Sequence, residues 1–148
     1  MSRYDRSEKL QTLVRLLSHR EEQAKRRLAQ RQQAVSGAQS KSEQLTELQR
    51  EYRQRLEGSS ESGVRASDLQ LLRRFNQSLD EVVEVQSLQV DRLRQELEQA
   101  QSDCLAALVK RRGGERLEEN RQRRENERAR RRERVVASDR AAQRNREH

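Results

Sequence analysis

The chain has no proline and no tryptophan, one cysteine, two tyrosines and one phenylalanine in 148 residues. Aromatic residues make up 2% and hydrophobic residues 30%, against 39% charged, which is too little apolar material to fill a globular core. The missing proline has the opposite meaning for helices. Proline inside a helix costs about 3 kcal/mol, and nothing here imposes that break. The lone Cys104 excludes an internal disulfide and a cysteine-based metal site, and it fits a small core position. No stretch approaches the roughly 20 apolar residues of a membrane span, and the start, MSRYDRSEKL, lacks the apolar run of a signal peptide. A soluble, intracellular protein is expected, built as one domain over residues 1–148.

What the chain does contain is helix-forming Arg, Gln and Glu, with apolar residues at helical spacing. Four of the five glycines sit in two places, Gly58 with Gly63 and Gly113 with Gly114, which marks a connection and a later hinge. A first helix is predicted over 5–57, with Asp5 and Glu8 as a capping box. With Leu10 at position a of a heptad, a and d carry Leu10, Leu13, Leu17, Ala24, Ala34, Ala38, Leu45, Leu48 and Tyr52, but also Arg20, Arg27, Arg31, Lys41 and Arg55. Position e adds Val14, Leu28, Val35 and Leu56. On this phase the seam is weak over 20–41, where alanine and basic side-chain stems must serve.

The second helix, predicted over 67–112, gives a cleaner signal. It opens on Ser67 with Gln70 three residues on, again a capping-box pattern. Its seam is Leu69, Leu72, Asn76, Leu79, Val83, Gln86, Val90, Leu93, Leu97, Ala100, Cys104 and Ala107, alternating three and four residues throughout. Asn76 and Gln86 are the polar exceptions, suited to fixing register at a cost in stability. The segment 58–66 between the helices, GSSESGVRA, is short and rich in glycine and serine, so the second helix must fold back on the first. The predicted fold is all-α, a long antiparallel two-helix coiled-coil hairpin. Centred near Ser62, it pairs Tyr52 with Leu72 and Leu17 with Ala107, and arms of this length make a rod of roughly 70 Å.

After Lys110 the apolar periodicity ends, leaving Leu117, Ala129, Val135 and Val136 among runs such as RQRRENERARRRER. Glu119 with Arg123 and Glu127 with Arg131 stand at i,i+4 in the favourable order, which supports a lone charged helix to Arg134 and fraying beyond about Val135. The net charge of +8 comes from the two ends of the chain, of which this tail, 113–148, is one. The first 57 residues carry 13 basic and 8 acidic side chains, residues 58–110 carry 6 and 9, and residues 111–148 carry 14 and 8. In an antiparallel hairpin the two basic parts meet at the pole far from the turn.

Catalysis needs polar groups fixed in a site that excludes water, and a two-helix seam offers no such pocket. His19 and His148 are isolated, no phosphate-binding glycine loop is present, and acid pairs such as Asp80 with Glu81 or Glu118 with Glu119 face different directions on a helix. No enzyme activity, cofactor or metal is expected. More informative is a second apolar stripe, Leu71, Phe75, Ser78, Val82 and Val85, flanking the main seam. Either it widens the seam against Tyr52 and Leu45, or it presents Phe75 to a partner.

The segments LTELQREYRQRLEG and GVRASDLQLLRRFNQSLDEVVEVQ resemble the FliJ family of flagellar type III export proteins, with Glu51-Tyr52-Arg53 and the pair Phe75 and Leu79 as fixed points. The match covers the turn and about half of each arm, and length, basic balance and layout extend it to the whole chain. The resemblance implies an antiparallel coiled coil like the central stalk of rotary ATPases, inserted through the ring of the flagellar export ATPase. Implied partners are that ATPase and its regulator, the cytoplasmic domain of the export gate, and export chaperones. Membrane association comes only through the export apparatus, at the inner membrane, and the implied biology is flagellum biogenesis, motility and chemotaxis. The family's gate-docking patch maps onto Leu45, Leu48, Tyr52, Phe75, Leu79, Val82 and Gln86. The basic pole, Lys25, Arg26, Arg27, Arg31, Arg111, Arg112, Arg116, Arg121, Arg123 and Arg124, suits an acidic ATPase pore, or is simply a set of solvated helix faces.

Two other readings share these features. One is the equivalent stalk protein of a virulence type III secretion system. The other is a coiled coil that binds nucleic acid through its Arg-rich tail, against which stands the absence of aromatic stacking residues there. No nucleic-acid partner is expected. Any gel shift with DNA or RNA at low salt should therefore disappear at physiological salt through counterion competition, and a shift that persists there overturns this expectation.

Overall fold

Two helices that each lack a core must find one in the other, and here they do so along a single line of side chains. The computed structural model describes residues 3–61 and 63–147, with residues 3, 4, 60 and 61 by backbone only. Helix α1 is Arg3–Glu61 and helix α2 is Ala66–Glu147, and no strand occurs among the described residues. The fold is the expected all-α two-helix hairpin. It comprises two units, Met1–Gln23 with Leu105–His148, and Ala24–Cys104.

In the Ala24–Cys104 unit the helices run antiparallel, as cross-links between Arg31 and Glu96, Ala38 and Gln86, and Tyr52 and Asn76 show. All twelve predicted α2 seam positions are buried or half-buried. The α1 seam is phased differently from the prediction. Its buried and half-buried line includes Ala24, Leu28, Val35, Ala38, Ser42, Leu45, Gln49, Tyr52 and Leu56, whereas Arg20, Arg27 and Lys41 are exposed. The facing positions are those labelled a and e above, not a and d. One residue of phase turns a helix face by about 100°, so the wrong line put basic residues where Leu28 and Val35 belong. The stretch 20–41 is accordingly not a loose part of the seam: Ala24, Val35 and Ala38 are among the most buried apolar side chains of the protein.

The turn is shorter than predicted. Helix α1 continues through Gly58, and α2 begins one residue before Ser67. Gly63, with φ of 71°, occupies the left-handed region where a Cβ is strained, which is its role in ending α1. Arg65 supplies the first carbonyl of α2, accepting from the Leu69 amide at 3.1 Å, so Ser67 lies inside the first turn and Asp68 adds a favourable negative charge there. Asp5 likewise lies within the first turn of α1, not before it. Ser62, the expected centre of the turn, lies outside the described residues. The centre for this pair moves two residues, to Val64, which shifts the partner by four residues or about one helical turn, so Tyr52 meets Asn76 in place of Leu72.

Asn76 fits the predicted register role. Its Nδ2 donates to the Leu72 carbonyl at 3.0 Å and to the Tyr52 carbonyl across the seam at 3.4 Å, while its buried Oδ1 has no protein partner. An unmet buried acceptor costs about 1–3 kcal/mol, which is the sort of penalty a register-fixing polar residue carries. Gln86 does the same more cheaply, donating to the Ala38 carbonyl at 3.1 Å.

In the Met1–Gln23 and Leu105–His148 unit the heptad positions of α2 continue past Lys110 as Arg111, Gly114, Glu118 and Arg121, all buried or half-buried. Their chemistry has changed from apolar to ionic, which is why hydrophobic spacing alone ends the seam too early. Arg111 bridges the buried Glu21 and Glu115. Gly113 and Gly114 form no hinge, because α2 passes through both without a break. Leu17 lies against Gly114, in place of the predicted Ala107. From residue 122 onward every described residue is exposed, yet the helix runs to Glu147 and does not end near Val135. Helix-forming Arg, Gln, Glu and Ala carry it, and Arg144 and Arg146 offset the dipole in its last turn. The expected pairs Glu119 with Arg123 and Glu127 with Arg131 do not close among the described residues; Arg121 instead binds Glu118 and Glu125.

The two adjacent glycines separate propensity from packing. A Cβ on Gly113 meets nothing within 4 Å, whereas one on Gly114 lies 2.8 Å from Leu17 Cδ1. Gly113→Ala should raise stability by about 0.5–1 kcal/mol, from propensity alone, and Gly114→Ala should gain less because Leu17 must change rotamer. Thermal melts followed by circular dichroism check this, and equal gains at the two positions contradict the close approach.

Candidate interaction surfaces

The two flanks of the seam in the Ala24–Cys104 unit differ chemically. On one flank Asp80 Oδ1 accepts from Gln49 Nε2 at 2.6 Å and from Arg53 Nη2 at 3.1 Å, a polar tie between α1 and α2. The Gln49 hydrogen bond is the main cause that lowers the Asp80 carboxyl below its ordinary value; desolvation opposes it, and the Arg53 charge and hydrogen bond add to the lowering. On the other flank Tyr52 and Phe75 meet in a tilted ring pair, with centroids 4.5 Å apart and planes at 51°. The Arg55 guanidinium caps the Tyr52 ring at 4.8 Å from its centroid.

That aromatic flank holds much of the expected gate-docking set, but not all of it. Phe75 is 43% exposed and Val82 48% exposed, and the outer stripe residues Leu71 and Val85 are each 67% exposed. Leu48 is half-buried and shares the heptad side of Phe75 and Val82. Leu45 and Tyr52 are half-buried seam residues, Tyr52 offering its ring face outward to Phe75 and Arg55. Leu79 departs from the expectation. At 6% exposure it lies in the core, so it supports the surface without forming it. Gln86 is also turned inward, its amide spent on Ala38. Both sit on the 3.5-residue line, where a side chain that looks like part of a surface patch is claimed by the opposite helix.

The expected basic set is divided between the units. Lys25, Arg26, Arg27 and Arg31 belong to Ala24–Cys104, and the six arginines from Arg111 to Arg124 belong to the other unit. Arg31 pairs with Glu96 at 3.0 Å. Arg111 is held by Glu115 and Glu21, and Arg121 by Glu118 and Glu125; in both cases the carboxylate hydrogen bonds raise an already high guanidinium pKa. These three are structural cations. Lys25, Arg26, Arg27, Arg112, Arg116, Arg123 and Arg124 are exposed, and they supply the positive surface. The sequence reading missed the Glu21–Arg111 and Asp80 ties. A signal existed for the first, since Glu21 falls on the line of Val14, Leu28 and Val35, where a lone acid requires a cation opposite.

No group of His, Cys, Asp and Glu able to hold a metal occurs among the described residues, and no described helix is long and apolar enough to cross a membrane. His148 lies outside the described residues. What the geometry offers is surface: an apolar flank with an aromatic centre in one unit, and exposed arginines on each. The family model of the flagellar FliJ protein matches residues 6–146. The chain belongs to the FliJ family.

It is thus a protein related to flagellar type III export, from a family of non-catalytic coiled-coil components of protein transport, and its associations are with the export apparatus in general. No curated protein and no solved structure matches the chain. The FliJ match takes in every expected site residue, from Lys25 to Arg124.

The Asp80 tie has a pH signature. Because the folded carboxyl is lowered, its stabilising effect is complete above the unfolded value of about 3.9 and is lost as pH falls through the lower folded value. Asp80→Asn should therefore melt below the wild type at pH 5–7, and the gap should close as the pH is taken below about 4. A gap that stays constant across that range contradicts the tie.

Proposed function

We propose that the chain is the non-catalytic stalk of the flagellar export ATPase, coupling the ATPase ring to the export gate and escorting export chaperones. The observation that carries this reading is the Phe75 flank. A two-helix seam needs only its facing line, and that line is already filled on α2 from Leu69 to Ala107. Phe75 and Val82 remain outside it, next to Leu48 and Tyr52, which is surplus apolar surface with an aromatic anchor. In a FliJ protein such a surface suits docking on the cytoplasmic domain of the export gate.

The exposed arginines suit the other half of the role. Arg112, Arg116, Arg123 and Arg124 form no ion pair among the described residues, the nearby carboxylates of Glu115, Glu118 and Glu125 being held by Arg111 and Arg121, and they fit an acidic lining of the ATPase ring or a contact with its regulator. Lys25, Arg26 and Arg27 on α1 add to the same charge. The ring supplies the chemistry and the stalk passes its state to the gate. The protein acts on the cytoplasmic side, peripheral to the inner membrane, and its loss abolishes motility. The family match is to the flagellar protein, which favours this reading over the virulence counterpart.

The docking test must spare the core. Replacing Leu79 by Ala would open a cavity costing about 2–5 kcal/mol and confuse docking with unfolding. Phe75→Ser with Val82→Ser alters half-exposed flank residues and leaves the buried seam line in place. The double variant should keep its helical signal and lose most pull-down of the gate's cytoplasmic domain, while co-purification with the ATPase is retained. Unchanged gate pull-down by a fully helical variant rules out docking through this flank.

A further inference from the structure

The unit formed by Met1–Gln23 and Leu105–His148 contains a groove of about 550 Å³ between α1 and α2. Its floor is apolar. Leu10 and Leu13 come from successive turns of α1, and Leu117 from α2. Leu13 and Leu117 are 41% and 57% exposed among the described residues, and the seam position beside them is Arg121 and not an apolar residue. The rim is cationic. Arg6, Lys9, Arg124 and Arg128 line it, and none of them has a carboxylate partner among the described residues. The one acid at the rim among the described residues, Glu125, is held by Arg121 at 2.7 Å.

We propose that this groove docks an amphipathic helix of a partner protein, one that presents leucine-like side chains flanked by Asp and Glu. An apolar trough between two parallel ridges, with anchors spaced by one helical turn, is the geometry of helix-in-groove recognition. The volume lies within the range of ordinary ligand sites, and it has room for several aliphatic side chains. Charge selects among helices. Four uncommitted cations around three leucines reject a basic or neutral helix and steer an acidic one, with salt-dependent association. Nucleic acid would use the cations but leave the leucines idle, and among the described residues no aromatic ring lines the groove for stacking. The groove shares Arg124 with the proposed ATPase contact but does not depend on it, since the leucines and the rim alone define it.

The test uses the full chain and two labelled synthetic peptides followed by fluorescence anisotropy. One is an amphipathic helix with leucines at i, i+3, i+4 and i+7 on a glutamate-rich background; the other has those leucines replaced by glutamine and the same charge. The leucine peptide should bind about tenfold or more tightly than its glutamine counterpart. Leu13→Asp and Leu117→Asp, both at exposed positions, should each weaken it by about tenfold while circular dichroism stays helical. Arg124→Glu with Arg128→Glu should weaken it and flatten its salt dependence. Equal binding of the two peptides, or leucine variants that bind as wild type does, overturns the proposal. So does binding of the chain to phosphatidylglycerol vesicles that depends on Leu13 and Leu117 while the leucine peptide fails to bind. Co-purification with the export ATPase is read separately: its failure for the wild-type chain removes the ATPase contact, whereas peptide binding decides the groove.

Discussion

Everything in this protein depends on one line of contact between two helices. With so little apolar material, each helix buries one face against the other, and no described side chain of any size is completely enclosed. Small residues such as Ala24, Ala38 and Ala100 are among the most buried, so the helices gain by close approach as much as by large side chains. A seam of this kind is sensitive to phase and register in a way a globular core is not.

That sensitivity explains the distribution of polar residues along the line. Asn76 with Tyr52, Gln86 with Ala38, and Arg111 with Glu21 each join a particular pair of turns, and each would be left unmet if the helices slid. Buried polar contacts add little net stability but penalise the wrong pairing heavily. The seam thus combines an undirected apolar attraction with a few directed contacts that choose among its possible registers. The Asp80 tie does related work on the outside of the seam, where it holds one flank polar and leaves the aromatic flank as the apolar one.

Much of this was legible in the sequence, for identifiable reasons. The α2 seam was correct in every position because its spacing alternates three and four over twelve residues with only two polar interruptions. The two-helix fold followed from that line, the absence of proline and the glycine-rich connection. The α1 phase was not legible from α1 alone, since leucines at Leu13, Leu16 and Leu48 lie off the seam while Glu21, Ser42 and Gln49 lie on it. Only the complement on α2 decides between them. The seam beyond Lys110 was hidden for the same reason, because hydrophobic spacing cannot reveal a core made of Arg, Gly and Glu. Within the expected docking set the difficulty was one of direction: Phe75 and Leu79 are a helical turn apart in sequence, yet one faces out and the other in.

The exposed stretch of α2 after Arg121 has a consequence for how the chain tolerates change. Between Leu69 and Arg121 an inserted or deleted residue rotates all later seam positions by about 100°, and the loss is spread over many turns. Past the groove, from residue 129 to Glu147, no side chain is buried or lines the groove, so the same insertion displaces nothing from a partner. There the chain is constrained by composition and not by identity: helix formers and a surplus of arginine suffice, in almost any order. Length variation among related chains should therefore collect after this point, with the hairpin before it keeping a fixed count between its polar contacts.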